Sequence, residues 1–200
     1  MKAKYNVKNL FIFLSLLAVP IYTLIFGLKQ NPAIFTLSKI GNYFGHRAGF
    51  IAWGTITGLL LVACIFHLFQ RTQYKGRFGE KLLALSYAFL IITVLVPNFR
   101  GTMTFLFYIH VTSAALFAGC LLMSLFFFMA HLHANNKKIF DKCSVLLFVC
   151  VGLPLLMLAV FGQPTGIAEI VFFFCICAFL TVVNSSLIGE EREQKAGAVA

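Results

Sequence analysis

TFLFYIHVTSAALFAGCLLMSLFFFMA, Thr104 to Ala130, contains no Asp, Glu, Lys or Arg. It is longer than the roughly 20 apolar residues that cross a bilayer core. A helix satisfies every backbone group within itself, so such a run reads as a membrane-spanning helix rather than as part of a water-soluble fold.

The same reading extends in both directions along the chain. Only 11% of the residues are charged, 60% are hydrophobic and the mean hydropathy is +0.93, whereas an ordinary soluble domain is about a quarter charged. Apolar runs at Asn9 to Leu28, Gly49 to Phe69, Leu82 to Val96, Thr104 to Ala130, Ser144 to Phe161 and Ile167 to Ile188 predict about six spans. The third is short, with Tyr87 and Phe99 flanking it. The expected fold is all-α, a polytopic transmembrane helical bundle forming one domain over residues 1–200. The basic, apolar N-terminal stretch lacks a clear small-residue cleavage pattern and reads as an uncleaved signal anchor. Pro20 and Pro154 fall inside spans and are expected to kink or open them.

Charge sets the orientation. Twelve of the sixteen Lys and Arg residues fall at the termini and in the second and fourth loops, leaving Lys29, Lys39, Arg47 and Arg100 on the other side. Basic residues stay inside, so both termini are expected in the cytoplasm of a bacterial cell membrane. The net charge of +10 is explained by that bias, so membrane lipids rather than nucleic acid are the expected partners. The six cysteines lie in or beside the spans without a CxxC pair and read as small core residues. His67 and His110 fall toward opposite leaflets, which disfavours haem held between helices.

Between the first two spans stands FTLSKIGNYFGHRAGF, Phe35 to Phe50. Wound as one helix, it puts Ser38, Gly41, Asn42, Gly45, His46 and Gly49 within an arc of about 140°, with Ile40, Tyr43 and Phe44 outside it. Gly41, Gly45, Gly49, Gly54 and Gly58 recur at helical spacing and are expected to let backbones approach closely, within the chain or in a homo-oligomer. Glu169 is the one carboxylate on the outer side, at the start of the last span, and His110 enters the outer half of the fourth. Ionisable groups at such depth are functional candidates. Ser38, Asn42, His46, Arg47, Arg100, His110 and Glu169 therefore form the expected ligand site. The plain alternative has Glu169 paired with Arg47 or Arg100 and His110 bonded to a backbone carbonyl.

The runs FTLSKIGNYFGHRAGFIAWGTITGLL, YIHVTSAALFAG and GIAEIVFF resemble a family of small bacterial six-span membrane proteins and are more distantly similar to the DRAM and Sfk group of membrane proteins. The resemblance implies a six-span fold, marks Ser38, Gly41, Asn42, His110, Ala114 and Glu169, and brings no established reaction. The expected function is binding of a lipid headgroup or other amphiphile in an outward-facing polar pocket. Arg47 and Arg100 would suit phosphate, and Glu169 and His110 an amine or sugar hydroxyls. Two alternatives stand beside it. One is an intramembrane lipid hydrolase using zinc held by His46, His110 and Glu169; the other is a permease component. Catalytic residues are not assigned, and no cofactor is expected outside the zinc alternative.

Overall fold

The computed structural model describes residues 2–98 and 104–197. Among them are seven helices and no strand: α1 Lys2–Gly27, α2 Leu37–Tyr43, α3 Arg47–Arg71, α4 Arg77–Leu95, α5 Thr104–Asn135, α6 Lys137–Phe161 and α7 Gly166–Gly197. All but α2 are long and apolar enough to cross a membrane. Large apolar side chains stand outward along them, Phe105 at 74% and Phe148 at 76% exposure. A belt of this kind needs lipid around it. The protein is a multi-pass membrane protein, and six spans put both ends of the described chain on one side.

The long helices follow one another around a ring. Each packs on its neighbour in chain order, and α1 closes the circle against α7, with further contact between α3 and α7. Several helices start earlier than the apolar runs do. α4 begins at Arg77 rather than Leu82 and has 19 residues. Its first turn carries Glu80, favourable at a helix N-terminus, and the stems of Arg77 and Lys81 can reach back to the interface. The third span is thus of ordinary length. α6 likewise begins at Lys137 rather than Ser144, with the Asn136 side chain accepting from Ile139 N at 3.2 Å as N-cap.

α3 is drawn close to its neighbours by its glycines. A Cβ on Gly54 would fall 2.2 Å from Val94 Cγ1, and one on Gly58 would fall 2.6 Å from Leu90 Cδ2, so side chains of α4 rest directly on the α3 backbone. Gly41 meets Phe50 in the same way, at 2.5 Å from its Cβ. Gly49 has only ordinary contacts. Gly45 departs from the expected packing role. Nothing lies within 4 Å of its would-be Cβ, and its φ is +74°. That left-handed conformation suits glycine, and it breaks the expected single helix into α2 and α3. Ile40, placed by the one-helix reading on the outward face, is instead fully buried, while Tyr43 and Phe44 are exposed.

Polar contacts tie α3 to α7 and to α1. At the end holding the termini, Arg71 on α3 donates from Nε to Glu191 Oε1 at 2.8 Å and from Nη1 to Asn184 Oδ1 at 2.9 Å, both on α7. Near the other end, the Trp53 indole N–H donates to Thr23 Oγ1 at 3.0 Å, and that hydroxyl donates to Val19 O. Thr23 and Trp53 are buried. Thr23→Val keeps the shape and removes the acceptor, so it is expected to cost about 1–2 kcal/mol. Denaturant unfolding in detergent checks this, with Thr23→Ser expected to restore most of the loss.

α6 is the loosely held member of the ring. Its buried residues are Ile139, Cys143 and Cys150, all of them before Pro154. Only 11% of its apolar stretch is buried, against 33% to 44% for the other spans. Pro154 lies within the continuous helix just beyond the last of these anchors.

Candidate functional site

A second group of polar residues gathers under and around α2, at the end of the bundle opposite the termini. α2 starts where Thr36 Oγ1 accepts from Lys39 N at 3.2 Å as N-cap. From across the bundle, Glu169 Oε2 accepts from Leu37 N at 2.6 Å. Two backbone bonds, Gly166 N to Phe35 O at 3.1 Å and Ile167 N to Pro32 O at 3.0 Å, stitch the segment before α2 to the start of α7. Gly166 permits this, since a Cβ there would fall 2.5 Å from Phe35 O. α2 is thus a short lid tied down by the first turn of α7.

The end of α4 supplies the second part of the network. A helix leaves its last carbonyls without intrahelical donors, and two sequence-singled residues fill them. Arg47 donates from Nη2 to Leu95 O, and from Nη1 to Asn42 Oδ1 at 2.8 Å. His110 Nδ1 lies 3.0 Å from Val96 O. A carbonyl only accepts, so Nδ1 carries the proton, and a neutral ring then keeps Nε2 as an acceptor. Asn98 donates from Nδ2 to Ser38 Oγ at 2.9 Å, and Ser38 Oγ shares a 3.1 Å hydrogen bond with Thr36 Oγ1. Asn42 donates from Nδ2 to Ser38 O at 2.7 Å.

Beneath this network lies a cavity of about 280 Å³ bounded by α2, α3, α4, α5, α6 and α7. Ser38, Thr93, His110, Thr165 and Glu169 give it a polar end under the lid. Phe50, Trp53, Phe117, Phe172 and Phe173 are prominent in its apolar wall. Trp53 stacks on Phe50 at 5.6 Å between centroids and meets Phe173 edge-on at 5.4 Å, so the wall is a connected set of rings.

Of the residues singled out from sequence, Ser38, His110 and Glu169 line this one cavity. Asn42 and Arg47 stand behind it as braces. His46 takes the N-cap position of α3 without a capping bond from its side chain and does not line the cavity. Arg100 lies outside the described residues. Glu169 is not paired with Arg47, whose guanidinium is turned to Asn42 and Leu95; its hydrogen bond goes to a backbone N–H instead. His46, His110 and Glu169 are not assembled as zinc donors, since among the described residues no three His, Cys, Asp or Glu side chains stand where they could share an ion. Sequence reasoning did not single out Trp53, Thr93, Asn98 or Thr165. Trp53 carried a signal, being the sole tryptophan in the chain.

Comparison with known proteins finds no matching family model, no matching curated protein and no matching solved structure.

Proposed function

We propose that this membrane protein holds an amphiphile in the cavity beneath α2, with the apolar body among the aromatic rings and the head group at Ser38, His110 and Glu169. The make-up of the cavity lining carries the reading: its hydrogen-bonding residues come from α2, the last turns of α4, the first turns of α5 and the start of α7, and aromatic and aliphatic side chains form the rest. Ligand pockets have this character, with about 300–1,000 Å³ of mostly apolar space and a few placed polar groups. The volume falls at the small end, which suits a single chain or one compact ring system rather than a whole two-chain lipid.

The same proposal sets the bundle in a bacterial cytoplasmic membrane with both termini inside, supported by the uneven share of Lys and Arg among the loops. Kinship with the small six-span bacterial proteins is part of it, supported by the six spanning helices. A second copy of the chain is not required by the glycine face of α3, because Gly54 and Gly58 are occupied by α4.

A ligand that binds only the folded protein raises its stability in proportion to the logarithm of its concentration. Delipidated protein in detergent, given back a total bacterial lipid extract, is expected to melt several degrees higher. Ala118→Phe, which puts a ring into the cavity from α5, is expected to abolish the rise. An equal rise in both proteins would overturn the reading.

A further inference from the structure

The lining of the cavity selects among head groups. Glu169 is the one charged side chain among the described residues that line it, and no Lys or Arg joins it there. Its Oε2 accepts from Leu37 N, and Oε1 accepts no hydrogen bond from the described residues. Among the described residues no fully enclosed side-chain polar atom lacks a partner, so Oε1 is open to the space beside it. Arg47, the described arginine that would suit a phosphate, is held away by Asn42 and Leu95 O. An anionic head group would therefore face a carboxylate with no basic side chain in the cavity lining, since Lys39 on α2, the cation that acts on Glu169, does not line the cavity. An ammonium would find a counter-charge, and faces of aromatic rings that attract cations.

The cavity also has an unsealed side. Ala114 and Ala118 on α5, and Leu155 and Leu158 on α6, line it. Leu155 is 58% and Leu158 40% exposed. These two belong to the part of α6 beyond Pro154 in which no residue is buried. The α5 side of the seam is made of small alanines, whereas α2 and its ties close the cavity toward the water-facing end. A ligand with an apolar body would meet its best solvent, the bilayer, at that seam.

We infer that the bound amphiphile is a lipophilic amine, whose ammonium pairs with Glu169 and which reaches the cavity sideways from the bilayer between α5 and α6. This rests on the amphiphile reading above and adds the head-group class and the route. The desolvation cost of bringing an ammonium into such a site is offset by a carboxylate partner. Glu169→Gln keeps an acceptor for Leu37 N while removing the counter-charge.

Trp53 is the sole tryptophan and lines the cavity, so its emission reads occupancy directly. The probes are bromoalkyl chains of equal length ending in an amine, an alcohol or a carboxylate, whose bromine quenches indole fluorescence on contact. With wild-type protein in detergent, the amine is expected to quench saturably at a concentration at least about tenfold below the other two. Glu169→Gln should bring the amine down to the level of the alcohol. Ala118→Phe, which leaves Glu169 and its bond to α2 untouched, should abolish saturable quenching by all three.

Saturable quenching by all three probes at equal concentrations would overturn the amine assignment and leave the amphiphile cavity standing, as would selectivity that survives Glu169→Gln. Failure of every probe to quench saturably would overturn both. The route is read separately. Paired cysteines at Ala118 and Leu158, crosslinked after purification, should slow the onset of amine quenching about tenfold or more compared with the reduced protein. An unchanged rate would exclude the α5–α6 seam.

Discussion

Gly54→Val is expected to destabilise the bundle by about 3 kcal/mol, the upper part of the usual range for overpacking a tight core. Even the first added carbon would lie 2.2 Å from Val94 Cγ1 and 3.3 Å from Val94 Cβ. Val94 is fully buried and β-branched, so it has few rotamers with which to move aside. The strain must be relieved by parting α3 from α4. Because Trp53 and Val94 both line the cavity, that parting also distorts the apolar wall. Thermal unfolding of Gly54→Ala, Val94→Ala and the double variant checks the cause. Val94→Ala should recover much of the loss caused by Gly54→Ala, giving a coupling of about 1 kcal/mol or more between the two sites. Additive losses would place the strain elsewhere.

Glu169→Leu is expected to release α2. The substitution leaves Leu37 N–H without its acceptor at a partly buried position, which costs about 1–3 kcal/mol. The loss falls on a helix of seven residues, too short to hold itself without tertiary ties. Amide exchange over residues 37–43 should therefore quicken about 10- to 100-fold, while exchange within α3 and α7 changes little. Glu169→Gln should retain most of the protection, because its amide oxygen can accept the same N–H. Equal protection in wild type and Glu169→Leu would mean that Gly166, Ile167 and Asn98 hold α2 without the carboxylate.

The six spans were legible because each is an apolar run of membrane length, a signal that depends on composition and not on which residue faces which. The face of each helix was far less legible. Between helices and toward lipid the surroundings are both apolar, so polarity does not mark the inside. Ile40 shows the consequence. A reading that sorted polar residues inward and apolar ones outward put it outside, yet it is wholly enclosed. The break at Gly45 was hidden for another reason, since a glycine at helical spacing looks the same whether it packs against a neighbour or turns the chain at positive φ.

The shared depth of Ser38, His110 and Glu169 could be inferred from where their spans begin. Their attachment to backbone groups could not. The unsatisfied carbonyls at the end of α4 exist only once the helix stops at Leu95, and Arg47 and His110 answer them. Much of the polar chemistry at this end of the bundle thus builds the lid and its frame. What remains for a ligand is the second oxygen of Glu169, the other ring nitrogen of His110 and the space beneath.

Native mass spectrometry of the protein released from the mildest detergent that dissolves it tests the occupancy of that space most directly. A single small amphiphile per chain is expected in the wild type, held through collisional activation that strips annular lipid, and absent from a folded Ala118→Phe variant. A bare wild-type chain, or the same adduct retained by Ala118→Phe, would contradict the binding role of the cavity.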